Sequence, residues 1–227
     1  MHAMTSDEAD REHVIRAHAT LGHSPLVPEI ALHLAGDVMG LWGDTESRAA
    51  VKASGSIALP PPYWGFAWPG GQALARYIID NPQRVAGMTI LDFGAGSGLV
   101  AIAAAKAGAA CVVAAETDAL ALAAIELNAA VNGVFIEPLG HDIIGTNARW
   151  DTVLAGDMCY ERPLAERLLP WLRALTKAGV QVLIADPGRN YFPKSGVTKL
   201  ATYSVPTSLE LEDRAVRETS VYELQSS

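Results

Sequence analysis

A glycine-rich loop between an apolar strand and a helix is the feature that most constrains the fold of this chain. Residues 94–98 read Gly-Ala-Gly-Ser-Gly, and they join the apolar run Thr89–Phe93 to a helical segment that begins at Leu99. Glycine is required where the backbone adopts a positive φ or where a ligand approaches it closely. In open parallel sheets, ligands bind at the carboxyl ends of the strands. The loop therefore predicts a parallel β-α-β unit with a ligand site at this position.

Short apolar runs and amphipathic segments alternate along the rest of the chain, which indicates a parallel sheet with crossover helices. We predict strands at Thr89–Phe93, Cys111–Ala115, Val134–Ile136, Asp151–Ala155 and Val180–Ala185, and helices at Gln72–Ile79, Leu99–Ala107, Ala119–Asn132 and Leu164–Ala178. Two closing strands are expected at Lys199–Val205 and Thr219–Leu224. The pattern predicts an α/β protein with a Rossmann-like seven-stranded sheet that is mostly parallel and ends in an antiparallel C-terminal hairpin.

The N-terminal part of the chain has a different character. A length of 227 residues suits one α/β domain with an added N-terminal segment. We predict a helix over residues 7–20, and the prolines and glycines between Pro25 and Pro62 indicate an irregular layer. We therefore divide the chain into an N-terminal helical and irregular segment, residues 1–60, and a ligand-binding domain, residues 61–227. Our hypothesis is that the first segment forms a lid over the ligand.

Composition excludes several classes of function. The net charge of −8 and the lack of any run of five Lys or Arg residues disfavour broad binding to nucleic-acid backbones. Cys111 and Cys159 have no CxxC neighbour, so we expect a reducing compartment, no disulfide and no metal site. No apolar run reaches the roughly 18 residues that a membrane span needs, and the acidic start resembles no targeting signal. We expect a cytoplasmic protein, and nothing in the sequence demands more than a monomer.

The spacing of the glycines favours one type of cofactor over another. A dinucleotide fingerprint would place its third glycine at position 99, which is Leu99 here. The chain instead has Gly94, Gly96 and Gly98, preceded by the acid Asp92. S-adenosylmethionine has no pyrophosphate, but it carries a positive amino group and a sulfonium. An acid before the loop suits such a cation, so we predict that Asp92 and the three glycines bind S-adenosylmethionine.

Further acids follow the next two strands. Glu116 ends the second strand, where a carboxylate can accept hydrogen bonds from both ribose hydroxyls. Asp118 competes for this role but fits better as the N-cap of the next helix. After the third strand region, Asp142 could accept a hydrogen bond from the adenine amine, and Ile143 could pack on the ring. A simple turn aspartate is the alternative interpretation of Asp142.

Two further motifs carry a resemblance to a known family. The segment from Pro62 to Gln72 contains Trp68-Pro-Gly-Gly-Gln, and the fourth strand is followed by Asp157-Met-Cys-Tyr160, a D-x-x-Y motif. With the glycine loop and the run Ala185–Arg189, they resemble the D-x-x-Y group of seven-β-strand protein methyltransferases. Within that group, the chain resembles the electron-transfer flavoprotein β-subunit lysine methyltransferases and their bacterial relatives. The likeness runs from about residue 60 to about residue 193, and more loosely through the N-terminal segment.

The resemblance implies a class I methyltransferase fold and a protein-lysine N-methyltransferase. Such an enzyme would transfer a methyl group from S-adenosylmethionine to a lysine and release S-adenosylhomocysteine. The resemblance maps Asp157 and Tyr160 onto the lysine channel and Trp68 onto the aromatic residue beside the cofactor. It also maps Gly94 and Glu116 onto the cofactor loop and the ribose acid. The implied partner is a protein, and the resemblance points to the electron-transfer flavoprotein β subunit, although related enzymes act on chaperones and translation factors.

These residues suit the chemistry of methyl transfer to an amine. A free lysine has a pKa of about 10.4, so removing its proton at pH 7 costs about 4.6 kcal/mol. Aromatic walls lower that cost by desolvating the ammonium, and an acceptor such as Asp157 aims the nitrogen. Tyr160, Trp64, Phe66 and Trp68 could supply π-faces for the cation. We predict that Trp64 and Phe66 bind substrate, although their period-two spacing equally fits a strand that packs on the core.

Two other functions fit the same fold. A small-molecule N- or O-methyltransferase would use the same cofactor loop and aromatic residues. A non-catalytic binding module would keep the fold, but the intact loop, Glu116 and the D-x-x-Y motif argue against it. A nucleic-acid base methyltransferase would carry N-P-P-[YF] after the fourth strand, where this chain has Asp157-Met-Cys-Tyr160. Cys159 has no His or cationic neighbour in sequence, so we expect no catalytic thiol.

Overall fold

A helix and a β-hairpin form the N-terminal part of the protein. The structure is a computed structural model that describes residues 6–36, 40, 61–147 and 149–226. The first elements are α1 (Ser6–His18) and an antiparallel pair, β1 (Ala19–Ser24) and β2 (Val27–Ala35). The predicted helix is confirmed. The irregular layer expected from Pro25 onward is wrong for this part of the chain. Residues there form a β-hairpin, because Ile30 and Leu32 give β2 a buried face. Residues 41–60, part of the hypothetical lid, lie outside the described residues.

A seven-stranded sheet forms the rest of the protein. In chain order its strands are β3 (Thr89–Phe93), β4 (Cys111–Ala115), β5 (Glu137–Leu139), β6 (Thr152–Gly156), β7 (Gln181–Asp186), β8 (Val197–Pro206) and β9 (Val216–Leu224). Across the sheet the order is β5-β4-β3-β6-β7-β9-β8. The first five strands are parallel, and β9 runs antiparallel to both β7 and β8. The fold predicted from the sequence is therefore confirmed.

Helices cover both faces of this sheet. They are α2 (Pro69–Asp80), α3 (Leu99–Lys106), α4 (Ala119–Val131), α5 (Arg162–Lys177) and the short α6 (Leu209–Glu212). Because successive side chains of a strand point to opposite faces, Ile90 and Leu154 pack with α2 and α3, whereas Leu91 and Val153 pack with α5. No helix in the described part of the chain is both long and apolar enough to cross a membrane.

The third parallel strand lies three residues later than predicted. The apolar residues Val134–Ile136 do not pair with β4, and the sheet pairing begins at Glu137, opposite Val113. The reason is the end of α4, where the Val134 N–H still bonds the Ala129 carbonyl and closes the helix. The predicted strand at these positions is therefore wrong, and the short segment instead connects α4 to β5.

A buried carboxylate caps the first turn of α3. Gly98, which precedes α3, has no side chain to bond the free N–H groups of the first turn. The Oδ2 atom of Asp92, on β3, accepts a hydrogen bond from the Ala101 N–H at 2.9 Å instead. Burial raises the pKa of Asp92 to about 7. The sequence predicts that Asp92 binds the cofactor; the structure directs its side chain into the start of α3.

Substituting Asp92→Asn tests this assignment through the pH dependence of stability. Between pH 3.8 and about 7 the folded protein keeps a proton on Asp92 that the unfolded chain has released. The stability of the wild type therefore falls as the pH rises through this window, and the asparagine variant lacks that loss. The difference in free energy of unfolding, variant minus wild type, should grow by about 4 kcal/mol across the window. Urea denaturation at several pH values measures it, and a difference that is independent of pH would contradict the assignment.

Candidate active site

A cavity opens at the carboxyl ends of β3, β4 and β6. Its volume is about 590 Å³, within the range of about 300–1,000 Å³ that is typical for sites of small ligands and cofactors. The structure brings seven of the predicted site residues into its wall: Trp68, Gly94, Gly96, Glu116, Asp142, Asp157 and Tyr160. The predicted cofactor end and the predicted substrate end therefore belong to one continuous space.

Glu116 and the glycine loop form one wall. The Oε2 atom of Glu116 accepts a hydrogen bond from the Gly96 N–H at 3.1 Å, and its Oε1 atom accepts from the Thr117 N–H at 2.7 Å. These bonds hold the carboxylate at the end of β4, where it suits the hydroxyl donors of a ribose. Asp118 accepts from the Leu120 N–H at 2.9 Å, which confirms it as the N-cap of α4.

All three loop glycines have a positive φ, and Gly94 and Gly98 also pack closely on other segments. At Gly94, an added Cβ would lie 2.2 Å from the Sδ atom of Met158, so the loop packs directly on the D-x-x-Y segment. At Gly98, an added Cβ would lie 3.3 Å from the Ile125 side chain of α4. Gly98 does not line the cavity, in contrast to the prediction. Its glycine is explained by the turn into α3 and by close packing on α4.

The loop after β5 supplies the opposite wall. Asp142 lines the cavity, accepts a hydrogen bond from the Ile144 N–H at 3.0 Å and forms an ion pair with Arg167. The hydrogen bond from Arg167 lowers the pKa of Asp142 below its usual value. Ile143 was assigned to the adenine ring by sequence, but its side chain is buried in the core, and Ile144 lines the cavity instead. Successive side chains of this loop point in opposite directions, which shifts the apolar contact by one residue.

Asp157 lies where β6 ends and is tied to two other segments. Its φ of 60° is in the left-handed region, which is uncommon for a residue with a side chain. The Oδ2 atom accepts a hydrogen bond from the Gly71 N–H at 3.0 Å, in the first turn of α2. The Oδ1 atom accepts from Nη2 of Arg189 at 2.9 Å and from Nε at 3.2 Å. The carboxylate therefore faces a helix N-terminus and a guanidinium, and both stabilise its negative charge.

Opposing effects set the ionisation of Asp157. Burial raises its pKa to about 6, and the nearby charge of Asp186 adds to this shift. The positive charge of Arg189 and the hydrogen bond from Gly71 act in the other direction. Because the resulting pKa remains below 7, Asp157 is mainly ionised at neutral pH and can bind a cation.

Arg189 extends the site into a chain of ion pairs. Its Nη2 atom also contacts Oε1 of Glu212 at 2.7 Å, and Oε2 of Glu212 contacts Nε of Arg217 at 3.0 Å. Glu212 is buried at the end of α6, so the connection between β8 and β9 reaches the cavity through Arg189. From the sequence alone, Arg189 fits either the cofactor end of the sheet or a turn cap, so no site role is predicted for it. Its position shortly after β7 could have indicated a place in the site, because β7 neighbours β6 in the sheet.

Three aromatic rings line the cavity together with Asp157. The Tyr63 ring packs edge-on against Trp68, with centroids 5.5 Å apart, and against Tyr160 at 5.6 Å. The Trp68 indole N–H donates to the Tyr63 carbonyl at 2.9 Å, which fixes the indole. Tyr160 is 38% exposed, and burial of its hydroxyl raises its pKa to about 12, so it remains neutral. No site role is predicted for Tyr63 from the sequence, although it belongs to the same aromatic segment as Trp68.

Trp64 and Phe66 face away from the cavity. Both are buried, and they pack against Ile15 of α1 and against α4, including Leu127. The alternative assignment to the core therefore describes them better than the predicted contact with substrate. The single 3₁₀ turn Tyr63–Gly65 separates the Tyr63 ring, which lines the cavity, from the Trp64 ring, which lies in the core.

Glycines let α2 approach Asp157. A Cβ added at Gly70 would lie 2.5 Å from both the Ala185 carbonyl oxygen and the Oδ2 atom of Asp157. A Cβ added at Gly156 would lie 2.9 Å from the Gly71 nitrogen. Backbone atoms at these distances cannot move aside easily. The Trp-Pro-Gly-Gly-Gln and D-x-x-Y motifs are therefore two halves of one packed structure.

The remaining candidate groups lie outside this arrangement. Burial raises the pKa of Cys159 to about 12, so its thiol stays protonated and is a poor nucleophile. Within the described residues, no group of three or more His, Cys, Asp or Glu side chains could hold a metal ion.

The groups that could hold S-adenosylmethionine are the glycine loop, Glu116 and the Asp142–Ile144 turn. Their donor and acceptor chemistry fits that cofactor.

Gly70 and Gly71 offer a matched pair of substitutions. Gly70→Ala should lower the free energy of unfolding by about 1–3 kcal/mol, because the new methyl group overlaps backbone atoms. Gly71→Ala meets nothing within 4 Å, so it should leave stability unchanged or raise it by up to about 1 kcal/mol through helix propensity. Urea denaturation with a constant m-value measures both. Equal effects of the two substitutions would show that α2 does not pack as described.

Comparisons with known proteins agree with this site. A family model described as ribosomal protein L11 methyltransferase (PrmA) matches residues 73–156. The electron transfer flavoprotein beta subunit lysine methyltransferase of Danio rerio is 37% identical over 226 residues, which cover 96% of this chain and 84% of the relative. The Homo sapiens protein of the same name is 36% identical over 207 residues, covering 88% and 76%.

Solved structures support the fold. The magnesium protoporphyrin IX methyltransferase of Synechocystis PCC 6803 with bound SAM superposes with a TM-score of 0.50 at 14% identity, over 68% of this chain and 79% of that one. The precorrin-6y C5,15-methyltransferase of Geobacter metallireducens gives 0.51 at 14% identity, over 69% and 89%. The cavity, its glycine loop and the similarity to the flavoprotein methyltransferases over nearly the whole chain lead to one conclusion. The chain belongs to the electron transfer flavoprotein beta subunit lysine methyltransferase family, and it is an S-adenosylmethionine-dependent methyltransferase.

Proposed function

We propose that this enzyme methylates lysine side chains of a protein, and that its substrate is the electron transfer flavoprotein β subunit. The observation that carries the proposal is the Asp157 carboxylate, which lines the same cavity as Tyr63, Trp68, Tyr160 and the glycine loop. A carboxylate within an aromatic wall suits an alkylammonium group. The names of the relatives supply the flavoprotein as the specific partner.

Asp157 has room for one more hydrogen bond. A carboxylate offers about four acceptor positions, and Gly71 and Arg189 together occupy three of them. The remaining position can accept one N–H from a lysine and aim its nitrogen. Because Gly71 and Arg189 hold the carboxylate rigidly, little orientational freedom remains to be lost when the substrate binds.

The aromatic rings prepare the lysine for transfer. Tyr160 and Tyr63 replace water around the amine, and desolvation favours its neutral form. Trp68 closes the wall towards the glycine loop. S-adenosylmethionine, when bound, supplies an electrophilic methyl group on a sulfonium. Once the ammonium has released its proton to solvent water, the residues of this chain hold the neutral amine and point its lone pair towards the cofactor end of the cavity.

The substrate can be identified with labelled S-adenosylmethionine. We would incubate the enzyme with purified electron transfer flavoprotein and, separately, with a cell extract, and locate the label by mass spectrometry. Methyl-lysine should appear on the β subunit. Asp157→Asn, which keeps the shape but not the charge, should reduce transfer by at least about 100-fold while S-adenosylhomocysteine still binds within a few-fold of wild type.

Each other outcome has a definite meaning. Label confined to small molecules would refute a protein substrate and favour the small-molecule methyltransferase. Methyl-lysine on other proteins but not on the flavoprotein would refute the partner alone. If Asp157→Asn transfers methyl groups at the wild-type rate, then Asp157 does not orient the amine.

The pH dependence of kcat/KM tests the state of Asp157. Protonation of the substrate lysine makes kcat/KM fall steadily as the pH falls, and because ionised Asp157 binds the amine, this fall should steepen with a midpoint at about pH 6. Arg189→Gln removes a positive charge that lowers this pKa, so the midpoint should move upward by about one pH unit or more. Arg189→Lys should restore part of the shift. The control is Arg217→Gln, which breaks the far end of the ion-pair chain and should leave the midpoint in place; the same midpoint in all variants would disprove the role of Arg189.

A further inference from the structure

A buried asparagine connects the N-terminal hairpin to the glycine loop. Asn128 lies on α4 and is fully buried. Its Nδ2 atom donates a hydrogen bond to the Ser97 carbonyl at 2.8 Å, in the glycine loop. Its Oδ1 atom accepts a hydrogen bond from the His33 N–H at 2.8 Å, on β2. One amide group therefore joins two segments that are distant in sequence.

The orientation of this amide is determined by its backbone partners. A backbone N–H can only donate and a carbonyl oxygen can only accept, so Oδ1 must face His33 and Nδ2 must face Ser97. The Nδ1 atom of the His33 ring lies 2.8 Å from the same Oδ1 atom. Since Oδ1 is an acceptor, that ring nitrogen carries the proton and donates. The hairpin thus holds the amide with two hydrogen bonds and leaves its N–H group for the loop.

The glycine loop is consequently held from two sides. Glu116 accepts the N–H of Gly96 on the cavity side, and Asn128 donates to the carbonyl of the next residue, Ser97. Glycine gives this loop a wide choice of conformations, so these hydrogen bonds select one of them. Of the described residues, none in β1 or β2 lines the cavity, so the described residues of the hairpin can act on a ligand only indirectly.

We propose that Asn128 is a positioning residue for the S-adenosylmethionine site, and that the hairpin of β1 and β2 supports cofactor binding through it. The hairpin orients Asn128, and Asn128 fixes the glycine loop in the conformation that receives the cofactor. The described N-terminal residues then contribute to affinity without touching the ligand. This inference is independent of the identity of the methylated substrate.

Asn132 provides a matched control on the same helix. Its Oδ1 atom accepts from the Ala31 N–H at 3.1 Å, and its Nδ2 atom donates to the Ala31 carbonyl at 2.7 Å. Asn132 therefore also makes two hydrogen bonds to β2, but none of its hydrogen bonds in the structure reaches the glycine loop. Asn132→Ala loosens the hairpin, whereas Asn128→Ala and Asn128→Asp also remove the N–H that holds Ser97.

The affinity for S-adenosylhomocysteine, measured by calorimetry on the full chain, distinguishes these variants. Asn128→Asp and Asn128→Ala should each raise Kd by about ten-fold, which corresponds to about 1.4 kcal/mol. Asn132→Ala should change Kd less than two-fold, although it lowers the midpoint of urea unfolding. His33→Phe, which removes only the ring hydrogen bond, should raise Kd by about three-fold.

Two results of these titrations would overturn the proposal. If the Asn128 and Asn132 variants raise Kd equally, general loosening explains the effect and Asn128 has no special role. If the Asn128 variants bind like wild type, the loop does not need its support.

Hydrogen exchange in the wild-type protein tests the same coupling without any substitution, in case the Asn128 variants do not fold. Coupling between two sites is reciprocal, so S-adenosylhomocysteine should slow amide exchange in β2 although it does not contact that strand. The control is β8, an edge strand with no residue in the cavity wall. Slowing of exchange that is several-fold greater in β2 than in β8 supports the proposal, and equal slowing in the two strands contradicts it.

Discussion

The arrangement of the cavity depends on the carboxylate of Asp157. It brings together the end of β6, the first turn of α2 and the guanidinium of Arg189. Burial makes its charge costly, as its raised pKa shows, and the helix N-terminus and Arg189 offset that cost. Without this negative charge, two positive groups would face each other in a poorly hydrated space. The group that we propose to bind the substrate amine is thus also the group that holds the end of β6, α2 and Arg189 together.

Close backbone packing explains why two sequence motifs occur together. Gly71 and Asp157 are 86 residues apart in the chain and share a hydrogen bond. That bond forms only because Gly70 and Gly156 lack side chains where α2 crosses the end of β6. The glycines of the first motif therefore serve the carboxylate of the second, and the adjacent Trp68 and Tyr160 complete the aromatic wall.

The N-terminal segment belongs to the architecture of the cofactor site. Small residues on α4, including Ala121 and Ala124, allow α1 and the Trp64 ring to pack closely against it. Asn128 on the same helix then reaches both β2 and the glycine loop. We propose that this helix, because it contacts both layers, transmits order from one to the other. The methyltransferase domain and the N-terminal hairpin are joined through buried polar contacts as well as through apolar packing.

The sequence by itself determined the sheet, the glycine loop, and the places of Glu116 and the D-x-x-Y segment at the ends of β4 and β6, because strand periodicity and short motifs are local signals. It did not determine the hairpin, the start of β5, or the directions of Ile143, Trp64 and Phe66. A single 3₁₀ turn or a shift of one residue reverses which side of a segment faces the cavity. Arg189 and Asn128 gain their roles from partners far away in the chain. Only the tertiary structure decides such roles, since a hydrogen bond between distant segments leaves no periodic trace in the sequence.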